Sequence, residues 1–334
     1  MDFQFFIGVD VSKLTLDFAV SDTKSTLFHL QVTNDQKGIR SFVIRCKLEN
    51  VQLSNSLVCM EHTGIYNNVA IHFFQQKNIA LCIEHGRQIK QSMGMVRGKN
   101  DKVDAVRISL YARRFQDKIH LWKPEREILS QIKHLSALRK RLINAKNQLK
   151  TPISEANKWL PKKLINELIS INKPAIKSLQ KQIKAVDQKL NAIIAADPQL
   201  NHLFEIVTSV AGVGPILAYE LILTTKEFTI IKDPRKYASY AGIAPFDNLS
   251  GSSIRGSKRV SNMANKAVKK ILHMAALSVV SREGEMTIFY RRKVAEGKNK
   301  MAAINAVRNK IIHRVFACVR KNQKYEENYA YQVA

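Results

Sequence analysis

The stretch Phe5-Phe6-Ile7-Gly8-Val9-Asp10-Val11 is an apolar run that contains a single carboxylate. Its length and its apolar character predict a buried β-strand. A carboxylate inside such a strand is costly unless a cation or hydrogen-bond donors compensate its charge. Asp10 therefore predicts a metal site, provided that other acids lie near it. Taken alone, it also suits an acid that faces solvent at the strand end or caps a turn with Ser12.

The segments that follow this strand predict an α/β domain. Further strands are predicted at 14–20, 26–32, 57–60 and 79–83, and helices at 38–48, 65–76 and 101–114. Three strands, then helix, strand, helix, strand and helix is the order of the ribonuclease-H-like fold, whose crossover helices pack on a mixed sheet. We therefore predict a ribonuclease-H-like (RuvC-like) N-terminal domain over residues 1–122.

Three further acids fall where this fold would place a metal site. Glu61 ends the strand expected beside the first one, and Asp101 and Asp104 share one face of a helix. Together with Asp10 they can hold two Mg²⁺ ions about 3.5–4 Å apart, the arrangement of phosphodiester chemistry. The two helical acids also suit an ordinary helix start capped by Asn100. The combination of all four acids favours the metal site.

The composition indicates a globular protein that binds nucleic acid. The 334 residues carry a formal net charge of +27, while 45% of them are hydrophobic. No apolar run reaches the roughly 18 residues of a membrane-spanning helix, so we expect no membrane partner. The first residues lack the features of a signal peptide, and the four cysteines contain no C-x-x-C pair. We therefore expect a cytoplasmic protein with reduced cysteines and without zinc.

A helical arm is predicted over residues 123–198. Apolar residues recur at threes and fours over 128–149 and again over 176–193, which predicts an antiparallel coiled-coil hairpin. Pro152, Trp159-Leu160-Pro161 and Pro174 are expected to break the helices between the two arms. The seam suits either a dimer contact or an internal bundle core. Lysines and arginines on the first arm could also hold RNA or DNA.

A mostly α-helical domain is predicted over 199–325, followed by a flexible tail at 326–334. Gly212-Val213-Gly214 separates two apolar segments, which resembles a helix-hairpin-helix. Glycines allow the close approach of a DNA phosphate, and free amides at the second helix start can bind it. An ordinary turn between two helices is the alternative. We favour binding to the DNA backbone because of the net charge.

A loop rich in glycine and serine follows in this domain. Basic residues close to it suit a phosphate cradle, and also a serine nucleophile that attacks phosphorus. The chemistry alone does not choose among Ser250, Ser252 and Ser253. A basic helix face is expected to lie against DNA. The basic residues of the loop and of this helix are Arg255, Lys258, Arg259, Lys266, Lys269 and Lys270.

These motifs together resemble the DEDD transposases of the insertion-sequence one-ten family, relatives of the Piv/MooV DNA invertases. The resemblance covers nearly the whole chain, and six motifs in the correct order make it specific. The motifs are Gly8–Lys13, Met60–Tyr66, Lys99–Ala105, Gly212–Gly214, Tyr240–Pro245 and Ser250–Gly256. His62 departs from the small residue expected after the glutamate.

The resemblance implies an enzyme that cuts and rejoins DNA. It implies that Asp10, Glu61, Asp101 and Asp104 bind Mg²⁺, with Mn²⁺ as a substitute, and that Ser250 attacks DNA. It also implies a noncoding bridge RNA that pairs with donor and target DNA. A dimer or tetramer is expected, in which different subunits supply the carboxylates and the serine. The alternatives are a RuvC-like Holliday-junction endonuclease that uses water, and a non-catalytic nucleic-acid scaffold.

Overall fold

The computed structural model of the chain describes residues 3–94, 100–250, 254–261 and 263–326. The chain divides into two units, Met1–Pro124 and Glu125–Ala334. The first unit is a mixed α/β structure and the second is mostly helical, which confirms the predicted order of fold classes. The finer division into 1–122, 123–198, 199–325 and 326–334 stays a prediction.

A five-stranded mixed sheet forms the centre of the first unit. Its strands are β1 (Phe5–Val11), β2 (Thr15–Ser21), β3 (Thr26–Thr33), β4 (Ser56–Glu61) and β5 (Ala80–Glu84). The strand order is β3-β2-β1-β4-β5, with β1 antiparallel to β2 and parallel to β4. The strand that carries Asp10 is therefore the middle strand of the sheet, and it lies beside β4, which ends at Glu61, as predicted.

Helices cover both faces of this sheet. They are α1 (Gln36–Leu48), α2 (Asn68–Gln76), α3 (Gly86–Ser92) and α4 (Asp101–Arg114), of which α3 was not predicted. Ile7 and Val9 pack in one core with residues of α1 and α2, whereas Phe6 packs with Ile108 of α4. Because side chains of a strand alternate between faces, Asp10 lies on the α4 face.

Helix α4 packs directly on the backbone of β1. A β-carbon at Gly8 would lie 2.1 Å from the carbonyl oxygen of Ala105 and 2.2 Å from the amide nitrogen of Ser109. The Ser109 hydroxyl donates to the carbonyl oxygen of Phe6 at 2.8 Å. These contacts fix the position of α4 along β1. The first turn of α4, with Asp101, consequently lies towards the end of β1.

Two long helices begin the second unit and pack against each other. They are α5 (Glu127–Ala156) and α6 (Lys162–Ala195), joined by residues 157–161. The prediction that Pro152 and Pro174 break the helices is wrong, since each proline lies inside a helix. Both prolines are exposed, so water can bond the carbonyl group that each proline leaves without an amide partner.

In the rest of the second unit, the last helix packs one buried face against several other helices. The further elements are α7 (Pro198–Ser209), α8 (Pro215–Thr225), α9 (Pro234–Tyr240), β6 (Pro245–Ser250), β7 (Ile254–Val260), α10 (Lys266–Val280), α11 (Glu285–Ala295) and α12 (Lys300–Lys321). Val307, Ile311 and Val315 of α12 are fully buried in the core of the unit. Among the described helices, none is long and apolar enough to cross a membrane.

Candidate active site

A row of carboxylates crosses the sheet where β1 ends. Asp10 pairs with Asp17 in the β1–β2 register, and Glu61 pairs with Glu84 in the β4–β5 register. The register of β1 and β4 runs from Phe5 and Ser56 to Val9 and Met60, so Asp10 and Glu61 follow it directly. Residues opposite each other on neighbouring strands point to the same face. The four acids therefore share the face covered by α4.

The negative charges of the other predicted metal ligands repel the carboxylate of Asp10. Burial and the negative charges of Asp101, Asp104, Glu61 and Asp17, in that order, together raise the pKa of the Asp10 carboxyl from 3.8 to about 6. Each of these charges disfavours the ionised form because it adds repulsion to the loss of hydration. Asp10 is thus a carboxylate whose negative charge the surrounding protein opposes. A bound cation would relieve that repulsion.

Glu61 is held through both its backbone and its side chain. The buried Asn67 side chain donates to the carbonyl oxygen of Glu61 at 2.8 Å and accepts from the Thr63 amide at 2.8 Å. The carboxylate lies against Gly86, at the start of α3. The sequence analysis did not identify Asn67. An asparagine three residues after Gly64 is nevertheless typical of a turn whose backbone the asparagine side chain holds by hydrogen bonds.

The two acids of α4 fit both interpretations that the sequence left open, a metal site and an ordinary helix start. Asn100 caps the helix, and its side-chain oxygen accepts from the Val103 amide at 2.7 Å. Both Asp101 and Asp104 lie in the first turn, where the helix dipole favours negative charge. The Asp104 carboxylate also pairs with Arg107 at 2.8 Å. These features of a helix start do not remove the repulsion that both acids exert on Asp10.

The donor chemistry of this group suits Mg²⁺, a hard cation that prefers carboxylate oxygen ligands. The repulsion at Asp10 points the same way, since a divalent ion would turn it into attraction. Within the described ranges, however, no three histidine, cysteine, aspartate or glutamate side chains lie close enough to hold one ion.

Two acids of the row were missed by sequence reasoning. Asp17 is only 3% exposed and accepts from the side chains of His29 and Gln31, each at 2.9 Å. Glu84 accepts from the Tyr111 hydroxyl at 3.0 Å. Asp17 is the one acid in a predicted strand, which is the signal that identified Asp10, and Glu84 directly follows the strand predicted at 79–83. Their protein donors distinguish them from Asp10, since buried acids with such donors need no metal.

The segment predicted as a helix-hairpin-helix contains α7 and α8 with a turn that includes Gly212 between them. The DNA-binding motif itself stays a prediction. Gly212 has a φ of 88°, and a β-carbon there would lie 2.1 Å from the Val279 side chain of α10. Gly214 precedes Pro215, the first residue of α8, and no atom of the described residues, apart from its two chain neighbours, lies within 4 Å of the position of its missing β-carbon. Packing on α10 therefore explains Gly212. The open space beside Gly214 leaves the start of α8 accessible.

The predicted serine loop belongs to a β-hairpin. Ser250 is the last residue of β6, and it pairs with Ile254, the first residue of β7. Arg255 pairs with Leu249 in the same ladder. Lys258 and Arg259 continue β7. Ser252 and Ser253 lie outside the described residues.

The basic helix face predicted beside this hairpin lies at the start of α10. Asn265 caps the helix, and its side chain accepts from the Ala267 amide at 3.0 Å. Lys266 and Lys270 are exposed and Lys269 is partly buried. Their placement on the first turns agrees with the prediction of one basic face.

Two family models match separate parts of the chain. Residues 7–156 match the DEDD transposase model of IS110, which is described as "Transposase". Residues 204–291 match the model described as "Transposase IS116/IS110/IS902 family". The two matched segments contain every motif of the predicted resemblance. The chain belongs to the IS110 family of transposases.

The similar proteins include recombinases and insertion elements. Pilin gene-inverting proteins of Moraxella bovis and Moraxella lacunata are each 26% identical over 326 residues, which span 96% of this chain and 98% of theirs. The IS110 uncharacterized 43.6 kDa protein of Streptomyces coelicolor is 28% identical over 152 residues, which span 46% of this chain and 36% of that protein. As an IS110-family transposase, the chain is an enzyme of DNA cleavage and rejoining.

The family assignment divides the candidate residues between the two units of this IS110-family protein. Asp10, Glu61, Asp101 and Asp104 fall within the first matched segment and the first structural unit. Ser250 falls within the second matched segment and the second unit.

Proposed function

We propose that this IS110-family protein cuts and rejoins donor and target DNA with a serine nucleophile and a Mg²⁺-binding DEDD site. The observation that carries the proposal is the convergence of four negative charges on Asp10 at the end of the central strand. Structural carboxylates usually have a donor or a cation, as Asp17 has here. A charge that its neighbours oppose is more typical of a functional site.

The topology supports a RuvC-like first unit. The strand order β3-β2-β1-β4-β5, with three antiparallel and three parallel strands that share β1, is the order that the ribonuclease-H-like fold requires. In this fold the acids of the first and fourth strands lie side by side, as Asp10 and Glu61 do. The acids of the last helix then complete the set.

In this proposal Asp10, Glu61, Asp101 and Asp104 hold the metal. When bound, Mg²⁺ would neutralise the negative charge that develops on the scissile phosphate. Asp10 would remain ionised at neutral pH in that state because the cation offsets its repulsion from the other acids. Arg107 would hold Asp104 in place through its ion pair.

The proposal that Ser250 is the nucleophile rests on the resemblance and on the position of Ser250 at the end of β6, which pairs with the basic strand β7. The Ser250 hydroxyl would lose its proton and its oxygen would bond to phosphorus while the bond from phosphorus to a sugar oxygen breaks, and that sugar oxygen would take up a proton in return. The phosphoserine ester keeps the bond energy, so the same sugar hydroxyl or another one can later displace the serine. Rejoining then needs no energy source. Arg255 is the basic residue nearest to Ser250 in the β-ladder and would neutralise charge on the phosphate.

The partners in this proposal are donor DNA, target DNA and a noncoding bridge RNA. The net charge of +27 supports binding to several nucleic-acid backbones at once. Basic residues of α5 and the start of α10 are exposed and available for this role, among them Lys140, Arg141 and Lys266. A homo-oligomer would bring the carboxylates of one subunit to the serine of another. The relatives named as gene-inverting proteins support recombination between two DNA sites.

Variants of the carboxylates test this proposal. Asp10→Asn and Glu61→Gln should abolish metal-dependent cleavage of DNA from the flanks of the gene, while circular dichroism stays unchanged. Asp117→Asn is the matched control, because Asp117 is an exposed aspartate of the same unit. RNA that co-purifies with the protein should be sequenced and included in the reaction. Cleavage at the wild-type rate by Asp10→Asn, or without divalent metal, would contradict the metal site.

A further inference from the structure

The carboxylate of Glu61 occupies the space that a side chain at Gly86 would need. A β-carbon at Gly86 would lie 1.9 Å from Glu61 Oε1 and 2.8 Å from Oε2. Both distances are too short for non-bonded atoms, since carbon and oxygen normally approach no closer than about 3.3 Å. Only glycine at position 86 is compatible with this placement of the carboxylate.

The backbone at Gly86 does not itself require glycine. Gly86 is not among the glycines with a positive φ, in contrast to Gly64 and Gly94 of the same unit. It is the first residue of α3, where alanine has a higher helix propensity than glycine. The contact with Glu61 is therefore the reason that the structure offers for a glycine here.

The start of α3 is fixed against the sheet and provides a rigid wall. Ile89 is 4% exposed and packs in the core beneath α4. The His85 imidazole accepts from the Arg87 amide at 3.2 Å, and the Gln88 amide group donates to the Tyr111 hydroxyl at 3.1 Å. Because α3 is held in this way, a methyl group at Gly86 would displace the carboxylate and leave α3 in place.

We propose that Gly86 is a positioning residue for Glu61. It leaves the room that the Glu61 carboxylate occupies against the start of α3, on the face of the sheet that carries the other acids. This inference rests on the proposed role of Glu61 in metal binding. An alanine would push away the end of a flexible side chain, whereas at Gly8 a methyl group would meet helix backbone.

Four variants of the full-length protein test the inference with Mn²⁺ as the probe. Gly86→Ala should raise the dissociation constant for Mn²⁺, measured by electron paramagnetic resonance titration, by at least about tenfold. Its melting temperature without metal should be unchanged or higher, because alanine is the better helix former. Arg87→Ala, in the same turn and exposed, should match the wild type in both measurements.

A double-mutant cycle separates positioning from a general structural effect. If Gly86 acts through Glu61, Gly86→Ala should have no further effect on Mn²⁺ binding in a Glu61→Ala background. An affinity within twofold of the wild type for Gly86→Ala would overturn the inference. An equal loss in both backgrounds would overturn it as well. If Glu61→Ala itself binds Mn²⁺ like the wild type, the proposed metal site fails, and the cycle shows this separately.

Discussion

Gly8 of β1 lies directly beneath Ala105 of α4, where a β-carbon would come within 2.1 Å of the Ala105 carbonyl oxygen. This close approach of a helix to a strand places the first turn of α4 near the end of β1. The acids of that turn then act on the pKa of Asp10. Gly8 thus allows α4 to pack so close to β1 that the acids in the first turn of α4 act on Asp10, two residues after Gly8.

Gly8→Ala should destabilise the first unit. Neither the β1 backbone nor the α4 backbone can move without loss of packing, so we expect a loss of about 2–4 kcal/mol in the free energy of unfolding. Urea denaturation followed by circular dichroism measures it. Gly214→Ala is the control, because its β-carbon would meet open space and its φ of −82° suits any residue. Equal stability of Gly8→Ala and the wild type would contradict the close packing.

Asp10→Asn should stabilise the metal-free protein above pH 6. The folded-state pKa of about 6 exceeds the value of 3.8 for an unperturbed aspartate, so ionised Asp10 lowers the stability at neutral pH. A difference of this size corresponds to about 3 kcal/mol for a fully buried group, and partial exposure reduces it to about 2 kcal/mol. The gain should shrink between pH 6 and pH 4, where wild-type Asp10 binds a proton. A gain that is constant with pH would contradict this.

Divalent metal should reverse that order of stability. Mn²⁺ should raise the melting temperature of the wild type, because a ligand that binds only the folded state stabilises it. Asp10→Asn should show little increase, since it lacks one ligand and part of the negative charge. Differential scanning fluorimetry with Mn²⁺ and with an equal ionic strength of NaCl distinguishes binding from screening. An equal Mn²⁺ effect on Asp10→Asn and the wild type would contradict metal binding at Asp10.

A further prediction distinguishes the residues of the helical arm that form the internal core from the exposed residues that are available for a contact with another subunit. Leu190 of α6 is 0% exposed within a single chain, whereas Trp159 and Ile171 are 84% and 68% exposed. Leu190→Asp should therefore lower the stability of the second unit by about 4 kcal/mol or more. Trp159→Ser with Ile171→Ser should leave stability unchanged and lower the mass of the oligomer in light scattering. An unchanged mass would mean that these exposed residues do not form the subunit contact.

The sequence could predict the elements of the first unit because they depend on short-range patterns. The apolar run around Asp10 predicts β1, and the helix predicted at 101–114 has the bounds that α4 has. The short helix α3 was missed because its seven residues have too few apolar positions to show a period.

The details of the site depend on contacts between distant segments and could not be predicted. Asn67 and Gly86 contact Glu61 only after β4, α2 and α3 have packed. The prolines of the arm were misjudged for a similar reason. Local propensity predicts a helix end, but the packing of α5 against α6 outweighs the loss of one hydrogen bond at each exposed proline.

The central claim is that a serine forms a covalent bond to DNA with the help of the carboxylate site. The most direct measurement is a trapping experiment with the full-length protein, its co-purified RNA and a nicked duplex from the flanks of the gene. The nick lets a short product strand dissociate, so a protein–DNA ester accumulates and shifts the protein band in a denaturing gel. Wild type, Ser252→Ala and Ser253→Ala should form this adduct, and Ser250→Ala should not. Metal-dependent cleavage by Ser250→Ala with free DNA ends and no adduct would contradict the claim and identify water as the nucleophile.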